Sequence, residues 1–418
     1  MNSTPTVSDV SGNGQRRLRL LDYVFILLMF TVNQQEVLEF LGEDSILKPY
    51  RVIALVLGIF ALTRFHAQWN FLRPIALPLM FAYSYALVMT FLGGRLNGVL
   101  SVVPMVVCNF ALFIAPCVIT SKRSLYLSCY AYIAGLVVSI VLGFFHGGVA
   151  GRFSGMFANP NYFGYACCIA IIFLMAPSLN LPNPLRVLLI LSLFTFVFLT
   201  GSRSSLVSTV AAFLSQIVRN PRLLIAMIIA TVMIVIASLA LESNVAQIFE
   251  ANEGVARRYT EEEIERGGNG RLEIARAAFT VGVENLFLGI GIDQFRQKHF
   301  TRFFQVITRS GELKRMGVHN TYVTILTEWG ALAFIACGLA MFRTYRVASE
   351  VPEFKLWIHG FLWSSLVIGL ASHVVGTPHF WLILGFCLQT LRLADRRPGS
   401  SAGQRVDFRT PSPGLVTG

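Results

Sequence analysis

The chain has 418 residues, 55% of them hydrophobic and 13% charged, with a mean hydropathy of +0.63 and a net charge of +12. That balance excludes a soluble domain: apolar runs of roughly 15–23 residues recur along most of the length, where a membrane helix needs about 20. It also excludes a transmembrane β-barrel, whose strands alternate apolar and polar residues. The basic excess does not point to nucleic acid, because Lys and Arg sit at the ends of apolar runs and in the tails, as the positive-inside rule requires.

In chain order, residues 1–19 form a polar tail ending in Arg16, Arg17 and Arg19. The apolar run from Leu20 leads to "NQQEVLEF" with no small-residue cleavage site, so it reads as an uncleaved first helix. Spans are expected at 20–35, 49–63, 74–92, 98–120, 125–145, 161–177, 185–200, 203–218, 222–241, 320–342, 355–372 and 378–394. The expected fold is all-α: a polytopic integral membrane protein of about 12 transmembrane helices, nine of them within 20–241. The pair at 185–218 could be one broken helix, but the polar "TGSRSS" in its middle favours two. The seven cysteines all lie in apolar stretches without metal-ligand spacing and read as small core residues.

With the N-terminus inside, alternate connections carry Arg64 and Arg73, Lys122 and Arg123, Arg186, Arg219 and Arg222, then Arg343, Arg346 and Lys355. The first outward loop is acidic instead, with Glu36, Glu39, Glu43 and Asp44. This asymmetry places both termini in the cytoplasm. Residues 319–394 hold the last three helices, and residues 395–418, rich in Pro, Gly, Ser and Arg, read as a disordered tail.

Residues 242–318 make one long outward loop between the ninth and tenth helices. It holds 11 of the 22 acidic residues and 11 basic ones. "EGVARRYTEEEIERGG" reads as a short charged helix, and "NGRLEIARAAFTVGVENLFLGIG" as an amphipathic helix from Arg271 to about Asn285. Long loops of this kind often carry substrate sites.

Three outward helix starts are unusually polar: "GRFSGMFANPNYFG" with Arg152, Asn159 and Asn161; "TGSRSSL" with Ser202 and Arg203; and "VHNTY" with His319 and Asn320. A helix N-terminus attracts anions, and an arginine there adds a planar fork that grips two phosphate oxygens. Arg271 could contribute from the loop. The set has the profile of a phosphate or pyrophosphate site at the outer membrane boundary. Asn159, Asn161, Ser202 and Asn320 are equally good N-caps, and an outward arginine can simply snorkel to headgroups. The constellation, not any single member, carries the reading.

The segments "GRFSGMFANPN", "TGSRSSL", "NGRLEIARAAFTVGVENLFLGIGIDQF" and "VHNTYVTILTEWGAL" occur in that order, with the long loop between the second and fourth. This series closely resembles the O-antigen ligase and polysaccharide polymerase superfamily of bacterial inner-membrane proteins. The resemblance implies a glycosyltransferase whose donor is a glycan on undecaprenyl diphosphate, used on the periplasmic side, with lipid A-core or a growing glycan as acceptor. It implies that outward arginines and the histidine of the HN motif do the work, here Arg152, Arg203, Arg271 and His319. No cofactor is expected. The sequence has no D-x-D motif for a metal, so the arginines would neutralise the leaving diphosphate.

In that chemistry a base must take the proton of the acceptor hydroxyl, and histidine suits neutral pH. On a continuous helix His319 would share a face with Tyr322, Val323 and Leu326, while Glu328 reads as a buried structural acid. Glu36 and Glu39 are competing bases. One-step attack would invert the anomeric centre. The alternative from a different class is a transporter or flippase of lipid-linked saccharides, which would place charged residues near the bilayer midplane and show two similar halves.

Overall fold

The computed structural model describes residues 18–34, 49–92, 111–146, 152–157, 159–176, 179–217, 271–304, 316–349, 352–370, 372 and 377–395. The expected span 222–241, residues 98–110 of the span expected at 98–120, the charged helix before Gly267, residues 1–17 and 396–418 of the tails and the acidic loop after the first helix lie outside them. Among the described residues the protein is all-helical, with no β-strand.

In chain order the helices are α1 (Leu20–Thr31), α2 (Pro49–Leu92), α3 (111–118), α4 (Lys122–His146), α5 (Pro160–Met175), α6 (Asn183–Leu199) and α7 (Arg203–Ile217). Then come α8 (Arg271–Glu284), α9 (Phe300–Phe303), α10 (Thr321–Thr324), α11 (Ala331–Ser349), α12 (Pro352–Gly369) and α13 (Pro378–Asp395). A π-helical turn, Phe295–His299, enters α9, and another, Ile325–Trp329, continues α10. Among the described residues two helices are long and apolar enough to cross a membrane by length and composition, Pro49–Leu92 and Lys122–Phe145.

Two expectations need correction. The spans expected at 49–63 and 74–92 are one continuous helix of 44 residues. At 1.5 Å per residue it is about 66 Å long, over twice the roughly 30 Å hydrocarbon thickness. Arg64 and Arg73 suggest a loop by charge, but nothing between them breaks a helix: "RFHAQWNFLR" holds no Gly, Pro, Asp or Ser. The tenth span is not continuous from residue 320. It stops at Gly330, whose φ of 93° is open to glycine at little cost, and restarts as α11. The division of 185–218 into two helices is observed, with Gly201 at φ 58° between α6 and α7.

The bundle has two chemically different ends. At one, cationic and amide side chains cap backbone carbonyls left free where helices stop. Arg19 Nη2 reaches the carbonyl of Val118 at 2.8 Å and Arg392 Nη1 that of Pro116 at 2.9 Å, while Gln389 donates to that of Ile119. Arg64 and Arg392 both lie close to Cys117, and Arg186 donates to the carbonyl of Leu179 at 2.5 Å. Inside α2, Pro78 has no N–H to offer the carbonyl of Pro74, four residues back. Arg343 Nη1 supplies the missing donor at 2.6 Å. The polar starts of α5, α7 and α10 lie at the ends of their helices away from these arginines.

Buried hydroxyls tie the middle of the bundle together. Ser208 Oγ donates to the carbonyl of Ser364 at 2.6 Å, and Tyr165 and Ser365 share a hydrogen bond of 2.8 Å. These bonds join α7 and α5 to α12. Polar contacts of this kind hold helices together where apolar burial alone gives no preference for one neighbour over another.

Candidate functional site

The first polar cluster is built at the starts of α5 and α7. Asn159 is extended (φ −133°) and accepts the N–H of Asn161, capping α5, with Pro160 at the first helical position. The neighbouring turn belongs to Ser202, whose Oγ accepts the N–H of Ser205 at 3.3 Å and meets the hydroxyls of Ser204 and Ser205 at 3.2 and 2.9 Å. Ser205 Oγ then donates to the carbonyl of Asn161 at 3.1 Å. The two helix starts are therefore one hydrogen-bonded unit.

Arg152 lies inside that unit, 6% exposed. Its Nε donates to the carbonyl of Thr200 at 2.5 Å and its Nη2 to Asn161 Oδ1 at 3.0 Å. Phe153 N adds a backbone bond to the carbonyl of Leu199 at 3.3 Å. Asn161 thus serves Arg152 and is not itself a cap. Two of the donor groups that would grip an outside anion are already spent on the protein, because the chain before α5 folds back over the end of α6. Arg203 differs. It is half-buried at the first position of α7, and its side chain makes no hydrogen bond or ion pair among the described residues.

The second cluster surrounds the start of α10. Asn320 is extended (φ −138°) and its Oδ1 accepts the N–H groups of Tyr322 and Val323, both at 3.0 Å, satisfying two orphan donors. Its Nδ2 donates to the carbonyl of Leu370 at 2.9 Å, beyond the end of α12. Thr321 Oγ1 reaches the carbonyl of Ser372 at 2.6 Å and Tyr322 OH that of Leu366 at 2.6 Å. One helix, α12, therefore bonds the helices that carry both clusters, through Ser364 and Ser365 to α7 and α5 and through Leu366 and the residues after its end to α10.

His319 is half-buried and precedes the cap, so it stands off the helix and not on a face shared with Tyr322, Val323 and Leu326. Its pKa is held below the ordinary imidazole value, first by burial and second by the guanidinium of Arg271. Arg271 is the first residue of α8, the helix expected from Arg271 to about Asn285. The structure thus brings Arg271 and His319, 48 positions apart in the sequence, to one place. It joins Arg152, Asn159, Asn161 and Ser202 at another, with Arg203 at the helix start they define.

What the sequence reading missed lies behind α10. Glu328, expected to be a buried structural acid, is 6% exposed and accepts two backbone N–H groups from the loop. Tyr85 and Thr90, at the end of α2, bond the same loop through Leu288 and Ile292. The signal for it is the run "LFLGIGID", whose paired glycines Gly289 and Gly291 both stand at φ 97° and lie close against neighbouring backbone.

Beside the second cluster an apolar cavity of about 380 Å³ opens among α2, α11, α12 and α13. Its lining includes Tyr322 and Gly369 at the site end, then Phe334, Trp363, Leu366 and Leu384.

Residues 187–338 match the family model of the O-antigen ligase. The match runs from α6 into α11 and takes in Ser202, Arg203, Arg271, His319, Asn320 and Glu328; Arg152, Asn159 and Asn161 precede it. It bears out the resemblance carried by the ordered motifs. No curated protein matches the chain.

Proposed function

We propose that this protein is a membrane glycosyltransferase that moves a glycan from undecaprenyl diphosphate to an acceptor sugar hydroxyl on the periplasmic face of a bacterial inner membrane. The observation that carries the reading is the pairing of His319 with Arg271 at the polar end of the bundle, within the stretch similar to the O-antigen ligase. An imidazole kept neutral by burial and a nearby cation is a base at neutral pH. The acceptor hydroxyl gives its proton to His319 as its oxygen bonds to the anomeric carbon. The bond from that carbon to the diphosphate breaks, and its electron pair leaves with the diphosphate. Arg271 and Arg203 meet the charge that develops there, in a setting where fixed cations act strongly because water is scarce. Attack in one step inverts the anomeric centre.

Arg152 takes a different part in this scheme. It holds the end of α6 to the start of α5, so that Arg203 is presented at a fixed helix start. The apolar cavity beside Tyr322 supports a donor carried on hydrocarbon, since a chain seated there would leave its diphosphate at the start of α10. The acceptor is lipid A-core for a ligase or the growing glycan for a polymerase.

The test is deletion in the native bacterium with chemical analysis of the surface and lipid-linked glycans, complemented by His319→Gln. Free lipid A-core with long lipid-linked chains identifies a ligase, and single lipid-linked repeats identify a polymerase. Full complementation by His319→Gln, which keeps size and polarity but not basicity, would remove the base from the scheme.

A further inference from the structure

We infer that Glu328 is a positioning residue for the transfer: its carboxylate clamps the loop at 287–295 onto the break in the tenth span, and through that loop sets Arg271 beside His319. The inference rests on the site proposed above and adds to it a residue that touches neither substrate.

The clamp is built almost wholly from backbone. Glu328 Oε2 accepts the N–H of Asp293 at 2.9 Å and Oε1 that of Phe295 at 3.2 Å. The carbonyl of Glu328 accepts Gly291 N at 2.9 Å, that of Thr327 accepts Ile290 N at 3.1 Å, and Ala331 N donates to the carbonyl of Phe287 at 2.8 Å. The π-turn Ile325–Trp329 and the loop therefore run bonded side by side for most of their length. They also approach too closely for side chains between them. A Cβ on Gly289 would meet the backbone of Trp329 at 2.9 Å, and one on Gly330 would meet the carbonyl oxygen of Leu288 at 2.5 Å. From the far side α2 closes the clamp, with Tyr85 OH on the carbonyl of Leu288 at 2.8 Å and Thr90 Oγ1 accepting Ile292 N at 2.9 Å.

The loop inside the clamp is not one that its own residues favour. Leu286, Phe287 and Asp293 all have positive φ, between 52° and 60°, a region that side chains other than Asn, Asp and Gly seldom occupy. Surrounding bonds must hold them there: Asp293 donates its own N–H to the Glu328 carboxyl, and Phe295, two residues on, donates the second.

The link from clamp to site is a small separate core. Phe295, whose N–H the carboxylate holds, is fully buried with Ile274, Ala278 and Val281 of α8, with Phe300, and with Val318. Val318 precedes His319, and α8 begins at Arg271. Thr327 Oγ1, next to Glu328, bonds the carbonyl of Ala278 at 3.1 Å and fastens α8 a second time. Moving Phe295 therefore moves α8 relative to His319. A carboxyl group places an oxygen acceptor opposite each of the two N–H groups. Glutamine presents one oxygen and an NH2 group, which would face a backbone N–H.

Three measurements on full-length protein in lipid nanodiscs test this. Amide exchange over 287–295 should speed up by about 5-fold or more in Glu328→Gln, the consequence of a lost buried bond, and stay unchanged in Arg203→Ala. Turnover should fall by about 10-fold or more, as small misplacements of a reacting pair do, and the acid limb of its pH profile should move up as Arg271 draws away from His319. In the Arg271→Ala background Glu328→Gln should cost little further. Thr327→Val, which removes only the hydroxyl bond to α8, should show the same pH displacement to a smaller degree and guards against misfolding of Glu328→Gln. Unchanged exchange in Glu328→Gln would overturn the clamp alone. Loss of turnover with an unmoved acid limb, or full additivity with Arg271→Ala, would reduce Glu328 to a stabilising residue and overturn the inference. Full activity in Arg271→Ala would overturn the site reading itself, and this inference with it.

Discussion

Arg271 lies close enough to His319 for its charge to help hold the imidazole below its ordinary pKa, although 48 positions of sequence separate them. A histidine with a lowered pKa stays neutral to lower pH, so a base at this position remains active until the solution is more acidic than about pH 6.5, the ordinary value. Turnover should therefore fall on acidification with a midpoint below that value. Arg271→Ala removes the repulsion that disfavours the imidazolium, and the acid limb should move up toward the ordinary value. A pH–rate profile of the two proteins decides the matter; an unmoved limb would mean that His319 does not titrate in the step measured.

Asn320 does two jobs, capping α10 and donating to Leu370. Asn320→Asp keeps the cap acceptor and loses the donor, while Asn320→Ala loses both. The expected costs are about 1 kcal/mol for the tie to Leu370 and about another for the cap. Thermal unfolding in detergent should rank the proteins wild type, Asp, Ala. Equal loss in both variants would show that the cap contributes nothing.

Arg152 and Arg203 should separate cleanly. Arg152→Ala strands a buried carbonyl at Thr200 and the amide oxygen of Asn161, so it should lower stability by about 2–4 kcal/mol and reduce activity through the fold. Arg203→Lys keeps the charge and loses the planar fork, so it should leave stability nearly unchanged and raise the donor KM. Transfer should survive excess chelator in wild type. An Arg203→Lys protein with unaltered donor KM would take Arg203 out of the diphosphate site.

The Pro74 carbonyl gives a test of the fold. Arg343→Met removes the side-chain donor to it and should cost about 1–3 kcal/mol. Pro78→Ala restores the N–H that α2 lacks, so the penalty of Arg343→Met should shrink in the Pro78→Ala background. Unfolding of the four proteins forms a double-mutant cycle, and strict additivity would show that the arginine is not acting on that carbonyl.

Sidedness is tested directly by single cysteines at Glu262 and Ser400. The Lys and Arg asymmetry predicts labelling from opposite sides of the membrane. Labelling of both from the same side would reverse the orientation and remove the periplasmic site.

The sequence by itself determined what depends on near neighbours. The apolar runs mark the helices α4 to α7, α12 and α13, Gly201 separates α6 from α7, and Asn159 and Asn320 announce their caps because a cap bonds N–H groups two or three residues away. The helix from Arg271 follows from its own periodicity. What only the tertiary structure decided is which distant group completes each local one. Charge at Arg64 and Arg73 suggests a loop, yet α2 continues through them and on through Pro74 and Pro78, where Arg343, 269 residues away, supplies a donor to the carbonyl of Pro74. Arg152 reads from sequence as an outward residue, and only the fold shows that Thr200 and Asn161 accept two of its donors. The break at Gly330 requires Leu288 at its back, and Glu328 finds its partners 33 and 35 residues away. In an apolar bundle many helix pairings bury the same kind of surface, so periodicity cannot choose among them. The choice falls to a few buried polar groups that each need one particular partner.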